Sequence, residues 1–201
     1  MTMTLTVYFL RFQMKNFGLA DFLMEKLTAQ ENLSVERRRA LYSAWGRIYL
    51  QCGDVFGAER KFSEVRRIRG TASSKPIEVR DAVDKGLIAI AQNDFTEGFS
   101  CFKKALQLDP NNSLLLNNMG VCLLYLGKLK DAIEMFEEAV RSNNEKVLNE
   151  QFLLNACTLY ELESSNDVQK KLDLLKQVNR FNVDLNINIE YCLKLQTGQK
   201  I

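Results

Sequence analysis

The side chains that most often carry enzymatic chemistry are absent or poorly spaced in this sequence. It contains no histidine, which excludes Ser-His-Asp and Cys-His catalysis and histidine-based metal sites. Glu137 and Glu138 diverge on a helix, and Glu134 and Glu138 share a face that the hydrophobic pattern leaves in solvent. No nucleophile–base pair or phosphate-binding loop accompanies them. We therefore expect a protein that is not an enzyme and that takes no cofactor, metal or small-molecule substrate.

The five cysteines are odd in number, far apart and without a Cys-x-x-Cys spacing. This pattern argues against structural zinc and against a disulfide framework. We expect the thiols to behave as small buried hydrophobic groups in a reducing compartment. No apolar run approaches the roughly 20 residues that a membrane-spanning helix needs, and we expect a cytoplasmic protein.

Charge is distributed unevenly along the chain. Residues 36–80 carry eleven Lys and Arg against five Asp and Glu, whereas residues 81–167 carry seven against fourteen. Arg66 and Arg69 share one helical face of the basic half, and contact of this basic face with acidic protein or an anionic membrane is one interpretation. A solvated face, or pairing with an acidic neighbouring repeat, is the other. Since no aromatic residues alternate with these arginines, nucleic acid is not expected as a partner.

Part of the sequence is a repeated pattern. Residues 79–112 and 113–146 are two adjacent copies of 34 residues, in which Gly86 aligns with Gly120. Self-similarity at this period, with small residues and an aromatic at fixed places, resembles the tetratricopeptide repeat. Each such repeat is a pair of antiparallel helices that cannot bury its apolar face alone, so neighbouring hairpins must stack on it. The resemblance thus implies a helical solenoid.

The spacing of glycines and aromatics has a packing reason. Two helices cross closely where a side chain is nearly absent, so Gly86 and Gly120 are the expected contact points. Phe102 and Phe136 are expected to fill the wedge between one hairpin and the next. Trp45, beside Gly46 in an earlier repeat, is expected to pack in the core.

The remaining chain extends this pattern in both directions. We predict an all-α tetratricopeptide-repeat solenoid of about four helical hairpins with a degenerate C-terminal cap and an extended or disordered tail. Its predicted parts are a partial repeat 5–29, full repeats 39–72, 79–112 and 113–146, a capping hairpin 147–180 and a tail 181–201, with a loop at 70–78. In the tail, apolar and polar residues alternate over 183–193, which predicts a mobile segment, a segment laid against the last helix, or a strand that adds to another chain.

The first helix of each repeat is expected to line a groove, and here those positions are unusually apolar. The predicted protein-binding groove consists of Arg80, Val83, Leu87, Ile90, Leu114, Asn117, Val121, Leu124, Tyr125 and Asn155. A helix that is hydrophobic almost all round, as 114–126 is, must be covered on most sides. A partner's helix or peptide, the chain's own tail, or tight packing against neighbouring repeats would cover it. The chaperone-type carboxylate clamp is excluded, because only Asn118 matches its required residues.

One stretch carries a more specific resemblance. LDPNNSLLLNNMGVCLLYLGKLKDAIEMFEEAV, followed by NEQFLLNACTLYELESS, resembles the C-terminal repeat domain of the subunit-twelve family of the trafficking protein particle (TRAPP) complex. The distinguishing residues, 117–119, 121–122 and 155–157, depart from the general repeat consensus.

This resemblance implies a non-enzymatic scaffold subunit of a membrane-tethering complex that acts in ER-to-Golgi vesicle transport and autophagy. Its partners would be other subunits of that complex, and it would associate peripherally with Golgi or ER–Golgi intermediate membranes. The alternative is a free-standing adaptor that binds short peptide motifs in the same groove.

Overall fold

Helices account for all regular secondary structure in the part of the chain that the computed structural model describes, residues 17–69, 74–142, 149–163 and 167–180. They are α1 (Phe17–Thr28), α2 (Val35–Gln51), α3 (Val55–Arg69), α4 (Lys75–Ala91), α5 (Phe95–Leu108), α6 (Ser113–Tyr125), α7 (Leu129–Arg141), α8 (Glu150–Glu163) and α9 (Asp167–Arg180). The all-α prediction is confirmed for these residues. The predicted tail 181–201 and the first helix of the partial repeat lie outside them.

Side-chain caps set where several helices begin. Ser34 Oγ accepts a hydrogen bond from the backbone N–H of Arg37, and Asn112 Oδ1 accepts one from that of Leu114. Asn149 Oδ1 does the same for Phe152. Each cap satisfies a backbone donor that has no partner within its helix.

A residue in the left-handed conformation ends the first helix of each full repeat. Gly53, Asn93 and Gly127 have φ values of 80°, 62° and 73°, and they occupy the same place in successive repeats. Glycine adopts this conformation without steric cost and asparagine tolerates it. The turn inside each of these three hairpins is therefore encoded at one repeat position.

The predicted loop at 70–78 was wrong at its C-terminal end. Helix α4 begins at Lys75, with Pro76 in its first turn. Proline is favoured in the first turn of a helix, because the backbone N–H groups of that turn have no partner within the helix and proline lacks this group. Its ring also fixes φ near the helical value. The chain divides into two compact units, Met1–Asp94 (unit 1) and Phe95–Ile201 (unit 2).

In unit 1, helix α2 packs against α1, α3 and α4. The core position predicted for Trp45 is confirmed, since the residue is only 5% exposed. Trp45 Nε1 and the Tyr49 hydroxyl donate hydrogen bonds of 2.6 and 2.8 Å to Asp21 Oδ1. Lys61 Nζ lies 3.2 Å from the centre of the Trp45 ring, in a cation–π contact. One aspartate of α1 thus anchors both aromatic side chains of α2.

Tyr49 makes the stability of unit 1 depend on pH in the alkaline range. Burial, and then the hydrogen bond to Asp21, raise the pKa of Tyr49 from 10.0 to about 12. Its stabilising contribution is complete below the unfolded pKa of 10.0 and is lost as the pH rises through about 12. We expect the denaturant midpoint, followed by fluorescence of the single tryptophan, to fall over this interval and to fall less in Tyr49→Phe. An equal slope in the two proteins would contradict this role for Tyr49.

In unit 2, helix α6 packs against α5, α7 and α8, and α8 packs against α7 and α9. The Phe136 ring fills the space that a Cβ on Gly120 would occupy, and it stacks on Phe152 at a centroid distance of 4.5 Å. Phe136 therefore contacts the glycine of its own hairpin and an aromatic ring of the next. In unit 1 the Phe62 ring lies against Gly46 in the same way.

The last hairpin replaces the aromatic position by a charged residue. Lys170 of α9 stands where Phe102 and Phe136 stand in earlier repeats, and it pairs with Glu163. Next to it, Lys171 is buried, and its Nζ lies 2.7 Å from Glu161 Oε1 and 2.9 Å from Asp167 Oδ2. Ion pairs thus hold α8 and α9 together where earlier hairpins use a ring.

Candidate protein-binding site

One side of α6 presents uncharged side chains to solvent. Leu114, Asn118, Val121 and Tyr125 follow one another at separations of four, three and four residues and so lie along one side of the helix; we call them the α6 face. Leu114 is 49% exposed and Tyr125 is 67% exposed, while Val121 is half-buried. Helix α6 contains no charged residue. Leu124, the other apolar groove residue predicted here, packs against the hydrophobic core of unit 2 instead.

Two predicted groove residues contact each other. Asn155 Nδ2 of α8 donates a hydrogen bond of 2.7 Å to Oδ1 of Asn117, which is buried in α6. A second bond runs from Asn149 Nδ2 to Ser113 Oγ, also at 2.7 Å. These amides link the first helices of two successive hairpins, so part of their hydrogen-bonding capacity is used inside the fold.

The orientation of Tyr125 is set by a ring that the sequence analysis did not select. Phe95, the first residue of α5, stacks on Tyr125 with centroids 4.4 Å apart and planes within 5° of each other. One face of the Tyr125 ring is covered in this way, while most of the residue stays exposed. When the repeats are aligned, Phe95 matches a leucine, so the repeat pattern does not indicate that Phe95 stacks on Tyr125.

The other four predicted groove residues lie on α4, in unit 1. Val83 is buried and belongs to the core, whereas Arg80, Leu87 and Ile90 are half-buried. The structure therefore leaves three of these four partly accessible.

A polar seam, formed by Ser43, Arg47 and Asp84, joins α2 to α4. The Ser43 hydroxyl donates to the Asp84 carboxylate at 2.9 Å, and Arg47 Nη2 lies 3.1 Å from Asp84 Oδ1. Burial raises the pKa of Asp84, although the neighbouring Arg47 opposes this shift. Sequence reasoning missed the seam, because polar residues within a helix are ordinarily solvent-exposed.

The basic face is only partly described. Arg66 is exposed, and the side chain of Arg69 lies outside the described residues. Arg67, one residue further along α3, is 73% exposed and pairs with Glu64 at 2.7 Å.

A cleft of about 190 Å³ lies between α7, α8 and α9. Its apolar side chains are Val140, Tyr160 and Leu174, all of which belong to the core. Glu137 at its rim lies 3.8 Å from Arg141 and 4.0 Å from Lys170. Because these charges already pair with one another, the cleft offers no clear recognition chemistry.

The cysteines differ in exposure. Cys101, Cys122 and Cys157 are buried as expected, but Cys52 is exposed at the end of α2, which contradicts the expectation for that thiol; Cys192 lies outside the described residues. Burial raises the pKa of Cys122 to about 11, so it stays protonated and unreactive at neutral pH.

The described residues contain no group of three or more histidine, cysteine, aspartate or glutamate side chains placed to hold a metal ion. None of their helices combines the length and apolar character needed to cross a bilayer.

Comparison with known proteins identifies the repeats. Two tetratricopeptide-repeat family profiles match residues 83–112 and 101–134. The chain is 38% identical over 160 residues to trafficking protein particle complex subunit 12 of Mus musculus, a match that covers 80% of this chain and 20% of the relative. The Homo sapiens protein of the same name is also 38% identical, with 22% of it covered. The chain thus spans about a fifth of the length of these curated relatives.

Solved structures agree on the fold. A crystal structure of TPR-like repeats from a Podosopora anserina putative kinesin light chain superposes with a TM-score of 0.60 at 15% identity, covering 90% of this chain and 93% of that one. BtubC from P. vanneervenii gives a TM-score of 0.56 at 18% identity, covering 86% and 76%. The predicted tetratricopeptide-repeat solenoid class is confirmed.

Proposed function

Since this chain is a tetratricopeptide-repeat protein similar over 80% of its length to trafficking protein particle complex subunit 12, we propose that it is a non-enzymatic scaffold in a TRAPP-like membrane-tethering complex. The repeat architecture supports this role, because stacked hairpins present extended surfaces to other proteins. In this proposal the partners are other subunits of the complex, and the processes served are ER-to-Golgi vesicle transport and autophagy.

The observation that carries the proposal is the α6 face. The centres of protein interfaces are depleted in charge and enriched in aromatic residues, and the face combines a 67% exposed tyrosine with a 49% exposed leucine on a helix without charges. The ring of Tyr125 is already held by Phe95, so binding would cost little side-chain entropy there. We propose that a partner subunit covers Leu114, Val121 and Tyr125.

The groove residues of α4 and the basic face complete the proposal. Arg80, Leu87 and Ile90 are half-buried and add a partly accessible surface in unit 1. Arg66, with Arg69, would give a weaker contact to an anionic membrane, consistent with peripheral association at Golgi or ER–Golgi intermediate membranes.

Placing charges on the α6 face tests the scaffold role. We expect Leu114→Glu combined with Tyr125→Glu to weaken co-purification of partner subunits by at least about 30-fold, because each substitution desolvates a carboxylate in the interface. Both side chains are exposed, so the circular dichroism spectrum and melting temperature should change little. Leu124 is unsuitable for this test, since a charge there would disrupt the core.

A matched control comes from unit 1. Phe56→Glu alters a side chain that is 71% exposed and lies on α3, and it should leave co-purification intact. If the double variant keeps its partners at wild-type stoichiometry, the α6 face does not hold them. Micromolar binding of the free chain to short peptides, with no stoichiometric complex in cells, would favour the adaptor alternative.

A further inference from the structure

Arg39 of α2 is a buried guanidinium without a hydrogen-bond partner for two of its nitrogens. The residue is 3% exposed, and its Nε and Nη2 atoms are buried and unpaired. Buried polar groups in folded proteins are almost always hydrogen-bonded, and a buried charge without a partner is strongly unfavourable. In the functional state, an acceptor is therefore expected to face these donors.

The helix directions place a second arginine beside Arg39. Helices α2 and α3 are antiparallel, since Gly46 before the turn lies against Phe62 after it. Helices α3 and α4 are also antiparallel, because Gln92 at the end of α4 bonds to Glu59 near the start of α3. Helices α2 and α4 are therefore parallel. Ser43 is level with Asp84, so one helical turn earlier Arg39 is level with Arg80.

The charges along this line of contacts do not balance. The Asp84 carboxylate already accepts from Ser43 and from Arg47, and buried Arg47 Nε is also unpaired. Arg80 is close enough to Asp84 to lower the pKa of that carboxyl. Arg47 and Arg80 therefore both act on the Asp84 carboxylate, and Nε and Nη2 of Arg39, one helical turn before Ser43, form no hydrogen bond with it.

We propose that Arg39, with Arg80 beside it, binds a carboxylate of a partner polypeptide between α2 and α4. The unpaired Nε and Nη2 groups form the edge of the guanidinium that presents two parallel N–H donors, which is the geometry that a carboxylate accepts in bidentate form. Arg80 is half-buried, so it is the more accessible of the two arginines. The residues differ from those of the chaperone-type clamp excluded above. That the carboxylate belongs to a protein rests on the proposed function.

The proposal predicts opposite effects of one substitution on stability and on binding. Arg39→Met keeps the side-chain length but removes the unpaired charge, so we expect the isolated chain to unfold at a melting temperature at least about 2 °C higher. Acetate should raise the melting temperature of the wild-type chain and have no specific effect on Arg39→Met, because a ligand stabilises only a protein that binds it. Arg39→Lys keeps a charge but loses the two-donor edge, and should respond to acetate weakly.

The controls separate this proposal from the proposed function. Arg66→Met removes an exposed arginine and should change neither the melting temperature nor its response to acetate. A lower melting temperature for Arg39→Met, or an equal acetate response in wild type and Arg39→Met, would overturn the site. A response to inorganic phosphate but not to acetate would overturn its assignment to a carboxylate. If Arg39→Met keeps its partner subunits while the charged α6 variant loses them, the scaffold role stands and this inference fails.

Discussion

Gly120→Val is expected to lower the free energy of unfolding of unit 2 by about 3 kcal/mol, the size of a severe overpacking substitution. A side chain on Gly120 would enter the Phe136 ring, whose Cζ lies 3.0 Å from the ideal Cβ position. That ring is 2% exposed and stacks on Phe152, which is fully buried, so it has little room to move. Urea denaturation followed by circular dichroism would measure the loss.

A double-mutant cycle would establish that the ring is the cause. Phe136→Ala alone should cost about 3–5 kcal/mol, and combined with Gly120→Val it should cost clearly less than the sum, because the new side chain enters the space that the ring has left. Gly18→Val, at an exposed helical position in α1, should have little effect. Additive losses within about 0.5 kcal/mol would show that Gly120 and Phe136 are not coupled.

Asp84→Ala is expected to destabilise unit 1 by about 3 kcal/mol, at the lower end of the range for breaking a buried ion pair. The substitution removes the carboxylate that Ser43 and Arg47 share, and it leaves Arg47 Nη2 with only the longer contact to Ser43 Oγ at 3.3 Å. The loss is moderated because the Arg47 side chain is 31% exposed and can partly rehydrate. The denaturant midpoint reported by Trp45 would measure it.

Two variants set the scale for this measurement. Asp131→Ala removes an exposed carboxylate from α7 and should stay within about 0.5 kcal/mol of wild type. Asp84→Asn keeps an acceptor for Ser43 and Arg47, and should lose less than Asp84→Ala. Should Asp84→Ala be as stable as the wild-type chain, the α2–α4 seam would contribute nothing to folding.

The helices and their packing were predictable because the signals are local or repeat at a fixed interval. Gly120 and Phe136 each occupy a position that other repeats share, and the same contact between a glycine and a ring joins Gly46 to Phe62. The core position of Trp45 likewise follows from its place beside Gly46 in the repeat. The uncharged α6 face was also predictable, because the absence of charged residues from this helix can be read directly from the sequence.

The polar seams could not be predicted, because their residues do not repeat. Ser43, Arg47 and Asp84 have the composition of an exposed helix surface, and only the contact between α2 and α4 buries them. The pairing of Asn117 with Asn155 likewise joins different positions of two repeats, so aligning the repeats does not bring them together. Here tertiary contacts between hairpins decide which polar residues are available to a ligand.

The uncharged character of α6 also determines how its contacts respond to ionic strength. Coulombic attraction between exposed groups is screened over about 10 Å at 0.1 M salt, whereas removing apolar surface from water is not weakened by added electrolyte. A subunit seated on Leu114 and Tyr125 would therefore stay bound through a concentrated salt wash that releases molecules held by surface arginines such as Arg66. Elution order in a salt gradient would thus report which surface each partner uses.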